Sequence, residues 1–191
     1  IFVLGSTGEG LFFMDKLEQK AILLSAVQEA NQRWQRPILV GAYGETPDEV
    51  IKDIDFILNY IKNPFFVIPP PVNKKLDNSE QKQFYSKLLD RASSQIYLYN
   101  NPERFGKTEL VPELCSYLKK YTNFIGLKDS SESEVNKLEY LKYLDERCSI
   151  SCGKEGSIGT FLKNIPRDSR KLAGMIPSIS NVVNSFDTVW N

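Results

Sequence analysis

Short apolar runs alternate with longer segments of helical period along the whole chain, and this alternation constrains the fold more than any other feature. The runs Ile1–Leu4, Pro37–Gly41, Phe65–Ile68, Ile96–Tyr99, Phe124–Lys128, Ser149–Cys152 and Ala173–Ile176 read as strands buried on both faces. Between the first two, Leu17, Ile22, Leu23, Ala26, Val27 and Ala30 recur at helical spacing, with Asp15 and Glu18 as a capping-box-like start. Thr46-Pro47-Asp48-Glu49 is a cleaner box with proline at the first helical position, and it opens a helix carrying Val50, Ile51, Ile54, Ile57, Leu58 and Ile61. Ser79–Ala92, Val111–Tyr121 and Ser133–Leu144 read as helices on the same grounds. Strand–helix alternation repeated this often predicts a parallel α/β fold.

Seven strands with helices between them fall one short of a closed (β/α)8 TIM barrel. The chain begins inside a strand and stops at Trp190-Asn191, and such barrels typically need about 250 residues. The expectation is therefore one partial barrel domain over residues 1–191, lacking its first strand–helix unit and its C-terminal helices. An open doubly wound sheet is the alternative. The triplet Pro69-Pro70-Pro71 follows a strand and reads as a loop on the face where barrel active sites lie.

Composition removes whole classes of function. Twenty-four basic residues balance 24 acidic ones, and no basic stretch stands out, so neither nucleic acid nor an anionic membrane is a predicted partner. No apolar run approaches the roughly 20 residues of a membrane helix and no signal peptide is visible, which predicts a cytoplasmic protein. The chain has no histidine. Ser-His-Asp and Cys-His nucleophile systems and the His-Glu-x-x-His zinc site are thereby excluded. Its three cysteines are too few for a four-cysteine zinc site, and Cys148 and Cys152 read as reduced and structural. No metal or cofactor is predicted. Carboxylates, lysine, tyrosine, hydroxyls and backbone amides remain for chemistry.

Those groups gather at strand ends. Phe124-Ile125-Gly126-Leu127 delivers Lys128, followed by Asp129-Ser130-Ser131. Ile96-Tyr97-Leu98 delivers Tyr99 ahead of Asn100-Asn101-Pro102, while Ile1–Leu4 runs into Gly5-Ser6-Thr7-Gly8-Glu9. A lysine at such a position is an amine nucleophile toward a keto acid, because burial disfavours the charged ammonium. Read alone, it is equally a solvated lysine after an edge strand. Tyr99 precedes the polar loop and is the better acid–base candidate; Tyr97 reads as an amphipathic cap on the core. Glycines with two hydroxyls at 5–8 make an amide nest suited to a carboxylate. Gly106-Lys107-Thr108 imitates the end of a phosphate-binding loop, but Asn101 stands where that motif demands its first glycine, and Pro102 lies inside it.

Gly5-Ser6-Thr7-Gly8-Glu9, Tyr99-Asn100-Asn101-Pro102, Gly126-Leu127-Lys128-Asp129-Ser130 and Gly174-Met175-Ile176-Pro177-Ser178-Ile179-Ser180-Asn181 together resemble the dihydrodipicolinate synthase / N-acetylneuraminate lyase family. The resemblance covers essentially the whole chain. It implies a (β/α)8 class I aldolase acting on pyruvate and an aldehyde without a cofactor, and a homo-oligomer, tetramer or dimer. By resemblance Lys128 forms the Schiff base, Tyr99 shuttles protons, and Ser6, Thr7 and Gly8 hold the keto-acid carboxylate, with Thr7 close to the proton transfer. Arg104 falls near the second substrate's carboxylate, and Ser130 and Ser178 are further substrate-binding positions.

The family members differ at these positions. Arg104 matches the synthases, which condense pyruvate with aspartate semialdehyde to 4-hydroxy-tetrahydrodipicolinate, and this is the first expectation. The synthases also carry a tyrosine pair in the loop after the family's fourth strand, where this chain has Pro69-Pro70-Pro71-Val72-Asn73. Ser178 and Ser6 are more like N-acetylneuraminate lyase and 2-keto-3-deoxygluconate aldolases, the alternative. A non-catalytic ligand-binding protein on the same scaffold is the further alternative.

Overall fold

The computed structural model describes residues 2–4, 17–157, 159, 163 and 172–175. Seven strands, β1 (Phe2–Leu4), β2 (Ile38–Gly41), β3 (Phe65–Ile68), β4 (Ile96–Asn100), β5 (Phe124–Asp129), β6 (Ser149–Cys152) and β7 (Leu172–Met175), form one sheet in chain order. Every neighbouring pair is parallel. Helices α1 (Leu17–Trp34), α2 (Pro47–Leu58), α3 (Asn78–Arg91), α4 (Pro112–Leu118) and α5 (Glu134–Tyr143) alternate with the first six strands.

This order rejects the doubly wound alternative. A doubly wound sheet reverses its strand order at a switch point, whereas here each strand lies beside its predecessor. Crossovers of one hand then carry all the helices to the same side of the sheet. The burial agrees, because the sheet separates two apolar clusters. Ile38, Val40, Phe66, Ile68, Ile96, Leu98, Leu127 and Ile150 face the helices and pack with Leu24, Ile54, Ile57, Leu88 and Leu114. Leu39, Val67, Tyr99 and Phe105 form a second cluster on the opposite face, with Tyr43, Phe65, Val72 and Tyr97 against it. Each fully buried Leu, Ile or Phe contributes about 1.5–3 kcal/mol, so both faces of the sheet are held by packing.

Local chemistry sets the helix ends. Thr46 Oγ1 accepts from Glu49 N at 3.3 Å, but the Glu49 carboxylate takes Glu45 N (2.7 Å) rather than Thr46 N, so the predicted box is only half made. A complete box appears instead at α3, where Asp77 accepts from Ser79 N and Glu80 N and the Glu80 carboxylate accepts from Asp77 N. Asp15 lies outside the described residues. Lys20 on α1 pairs with Asp53 on α2, whose other oxygen accepts from Tyr43 N (3.0 Å), tying both helices to the loop after β2. Among the described residues no helix is long and apolar enough to cross a membrane.

β4 and β5 each run one residue further than predicted, to Asn100 and Asp129. Both extra residues are polar and face the helices, and the buried network described below satisfies them. Gly126 on β5 (φ +146°) is required as glycine, since a Cβ there would lie 1.9 Å from Ser149 O and 2.8 Å from Tyr97 Cε1. The Tyr97 ring passes over this gap, its hydroxyl 2.8 Å from Ser149 Oγ. Tyr97 is thus a half-buried cap on the interior, as predicted.

Candidate active site

The strand register brings the two leading sequence candidates together. Tyr99, Lys128, Ser151 and Gly174 are successive Cα partners across β4, β5, β6 and β7. Tyr99 belongs to the cluster on the face away from the helices, and Lys128 Nζ lies over its ring, 4.5 Å from the centroid. Both side chains are buried, Lys128 being 3% and Tyr99 2% exposed. Among the described residues no hydrogen bond or carboxylate meets the Lys128 nitrogen.

Neighbouring groups fix this pair. Gly153, just beyond β6, lies so close that a Cβ would fall 2.2 Å from Ser130 Oγ and 2.9 Å from Lys128 Cε. Glycine is therefore what lets Lys128 and Ser130 stand side by side. Ser130 N donates to Asn100 O and Gly153 N to Asp129 O, each at 2.8 Å, which carries the ladder past the strand ends. Phe105, fully buried, stands edge-on to Tyr99 with ring centroids 5.3 Å apart, and Tyr43 stacks on its other side at 6.1 Å. Asn101 Nδ2 donates to the Tyr99 hydroxyl oxygen at 3.0 Å. Among the described residues two buried atoms in this region, Asn101 Oδ1 and Ser130 Oγ, have no hydrogen-bond partner. Such groups typically cost about 1–3 kcal/mol each, and a catalytic role or a bound water, ion or ligand is among the reasons they are retained.

One residue further along the same strands the side chains face the helices. Asn100 Nδ2 donates to Asp129 Oδ1 (2.6 Å) and to Tyr140 Oη (3.2 Å), and Asn100 Oδ1 accepts from Leu110 N (3.0 Å). Asp129 Oδ2 meets Lys137 Nζ at 3.1 Å and accepts from Ser131 Oγ at 3.1 Å, while Tyr140 donates to Leu110 O. Burial, then the charge of Asp129, pushes the Tyr140 phenol well above its ordinary range.

The remaining predictions fare variously. Ser130 is buried beside the lysine. Arg104 is exposed on the loop after β4, and its guanidinium makes no hydrogen bond or ion pair among the described residues. Ser6, Thr7, Gly8 and Ser178 lie outside the described residues. The phosphate-loop imitation is a brace. A Cβ at Gly106 (φ +57°) would lie 2.5 Å from Lys74 O, and buried Thr108 accepts from Leu76 N at 2.9 Å. Glu45 holds the far side of the proline-rich loop, accepting from Val72 N (3.1 Å) and Asn73 Nδ2 (3.0 Å). At the rim Lys154 pairs with Glu132 (2.6 Å) and Glu103 (3.2 Å). Its hydrogen bond holds the Glu132 carboxyl below, and that to Glu132 holds the Lys154 ammonium above, their ordinary ranges. No group of His, Cys, Asp and Glu among the described residues could hold a metal ion.

Sequence reasoning passed over Asn101 and Gly153. The repeated asparagine in Asn100-Asn101 was a usable signal, because the two must face opposite sides of the sheet. Nothing local marks Gly153, whose role comes from a contact with another strand.

Comparison with known proteins places the chain in a family. The dihydrodipicolinate synthetase family model matches residues 1–185. The chain belongs to that family. A 4-hydroxy-tetrahydrodipicolinate synthase of Chlamydia trachomatis is 35% identical over 133 residues, covering 70% of this chain and 44% of that protein. The chain spans about half the length of the curated relatives it matches. A 2-keto-3-deoxygluconate aldolase from Picrophilus torridus superimposes with a TM-score of 0.81 at 20% identity, over 97% of this chain and 63% of that one. A dihydrodipicolinate synthase from Thermotoga maritima gives 0.82 at 18% identity, over 94% and 59%.

Proposed function

We propose that this chain carries the Schiff-base centre of a pyruvate-dependent lyase or synthase, with 4-hydroxy-tetrahydrodipicolinate synthesis from pyruvate and aspartate semialdehyde as the leading reading. The observation that carries it is Lys128, buried against the Tyr99 ring with no carboxylate among the described residues to hold an ammonium. The Lys128 amine adds to the C2 carbonyl of pyruvate, and the tetrahedral adduct loses water to give the imine. Loss of a C3 proton then yields an enamine, which attacks the aldehyde carbon. Tyr99 moves the protons, and Ser6, Thr7 and Gly8 hold the carboxylate through hydroxyls and amides, Thr7 also assisting the transfer. Arg104 binds the carboxylate of the second substrate, and Ser130 and Ser178 add substrate contacts.

In this reading the sheet is the wall of a (β/α)8 barrel, one domain across residues 1–191 and part of a homo-oligomer, dimer or tetramer, in the cytoplasm. The 35%-identical Chlamydia trachomatis synthase supports the choice of reaction. The exposed Arg104 guanidinium favours a second reading, cleavage of a sugar acid such as 2-keto-3-deoxygluconate, in which no second carboxylate needs a clamp at that loop.

Borohydride in the presence of pyruvate tests the shared chemistry. Lys128 of the full-length protein should gain a reduced pyruvate adduct, located by intact mass and peptide mapping. Lys128→Arg should not, because a guanidinium stays protonated. An unmodified Lys128 at saturating pyruvate removes the aldolase reading and leaves the binding protein. Kinetics of Arg104→Ala separate the two enzymes. In a synthase KM for aspartate semialdehyde rises by roughly 1.5–3 kcal/mol of lost charged hydrogen bonding, while sugar-acid cleavage stays unchanged in an aldolase.

A further inference from the structure

Tyr99 is held on three sides, and the third contact has no role in the reading above. Lys128 covers its ring and Phe105 stands against its edge, but the oxygen that would carry the proton is held by Asn101 Nδ2 at 3.0 Å. The Asn101 backbone makes this geometry fixed. Asn101 O accepts from Arg104 N and Phe105 N, both at 3.1 Å, so the chain turns tightly after β4 and the carboxamide folds back over the strand end. The side chain is buried, yet its Oδ1 has no partner among the described residues. A carboxamide placed only for packing would not leave a buried acceptor open, since a leucine would fill the volume without that cost.

We infer that Asn101 is the positioning residue of the proton transfer, donating to the Tyr99 oxygen so that the phenolate is stabilised when it takes a proton from the pyruvate imine. Resting on the Schiff-base reading, this adds one residue to it. In the step concerned the C3–H bond of the imine breaks and its electron pair becomes the C2–C3 double bond. The C2=N pair moves to the Lys128 nitrogen, which is positively charged in the iminium, and the proton goes to the Tyr99 phenolate, formed when Tyr99 Oη gave its own proton to the carbinolamine hydroxyl that left as water. A hydrogen bond given to the charged form of an acid favours that form. Asn101 thereby orients the oxygen and favours the phenolate that stands ready to take the C3 proton.

The test needs pyruvate alone. In D2O the enamine returns to the imine with deuterium on C3, so loss of the pyruvate methyl signal in proton NMR measures the step without an aldehyde. Asn101→Leu should slow this exchange about 10–100-fold, the worth of a hydrogen bond to a charged group. Borohydride trapping at Lys128 should stay at the parent level, which a collapsed site would not permit. Asn101→Asp keeps the shape but replaces the donor with a negative charge, so the rising limb of the exchange–pD profile should move to higher pD. If the parent traps pyruvate and either Asn101→Leu or a folded Asn101→Asp exchanges like the parent across the pD range, the inference is overturned. A parent that traps without exchanging overturns it too. A parent that fails to trap removes the Schiff-base reading instead, so the two failures are told apart.

Discussion

Two lysines only nine positions apart are both removed from water, and they are treated in opposite ways. Lys137, 1% exposed, faces Asp129 Oδ2 at 3.1 Å and donates to Ser131 O. Lys128, 3% exposed, lies over an aromatic ring and meets no carboxylate among the described residues. The difference follows from which face of β5 each one serves. On the helix side, Asn100, Asp129, Ser131, Lys137 and Tyr140 satisfy one another. On the other side, buried Asn101 Oδ1 and Ser130 Oγ have no partner among the described residues. A buried charge is tolerated when it is paired and hydrogen-bonded. Among the described residues the helix side is therefore fully paired, whereas the Lys128 side keeps two buried polar atoms without partners. An incomplete polar set inside an otherwise close-packed wall is where chemistry belongs.

The comparison breaks first at its extremes. Lys128→Met should abolish pyruvate trapping and turnover, yet leave thermal stability at or above the parent's, because no described ion pair is lost. A large fall in stability would show that Lys128 is a structural cation. Gly153→Ala sharpens the point from the other strand. The added methyl would press 2.9 Å from Lys128 Cε and 2.2 Å from Ser130 Oγ, and displacement of a reacting group by about 1 Å can cost 10²-fold in rate. Turnover should fall by about that factor with the fold retained by circular dichroism. Parent-like kinetics would mean the lysine works from another rotamer.

Lys137→Met should behave in the reverse way. It leaves Asp129 buried without its cation, and breaking a buried pair typically costs about 3–5 kcal/mol. Urea unfolding should show that loss, and Lys128 should still be trapped by borohydride in the folded fraction. A stability change below 1 kcal/mol would make the network decorative and remove the contrast.

Much of this was legible in the sequence because strands buried on both faces tend to be apolar throughout, as in β3 (Phe65–Ile68), while β6 (Ser149–Cys152) alternates; both match their predicted limits. What escaped was settled by contacts distant in sequence. Asn100 and Asp129 look like loop residues, and they extend their strands only because Tyr140 and Lys137 from α5 meet them. The Thr46–Glu49 box was over-read, since Glu45 N competes for the same carboxylate. Lys128 and Tyr99 were visible as strand-end residues. Asn101 was hidden inside an Asn-Asn-Pro stretch that reads as a turn, and Ser6, Thr7, Gly8 and Ser178 lie outside the described residues.

The smallest expected effect probes the helix side through pH. Tyr140 donates to Leu110 O and accepts from Asn100 Nδ2, so Tyr140→Phe should cost about 1–3 kcal/mol at neutral pH, the price of leaving buried partners unmet. Burial and the neighbouring Asp129 charge raise its phenol well above the ordinary range; the unfolded chain releases that proton near about pH 10. Above that point the native state holds more protons than the unfolded one, so stability falls as pH rises. The contribution is fully present below about pH 10 and is lost through the alkaline range. Tyr85, raised by burial alone, adds a limb of the same sign that survives the substitution. Urea unfolding of Tyr140→Phe between neutral pH and pH 11 should thus show a lower plateau but a shallower alkaline decline than the parent. An equally steep decline would place the titrating group elsewhere and detach Tyr140 from the Asp129 network.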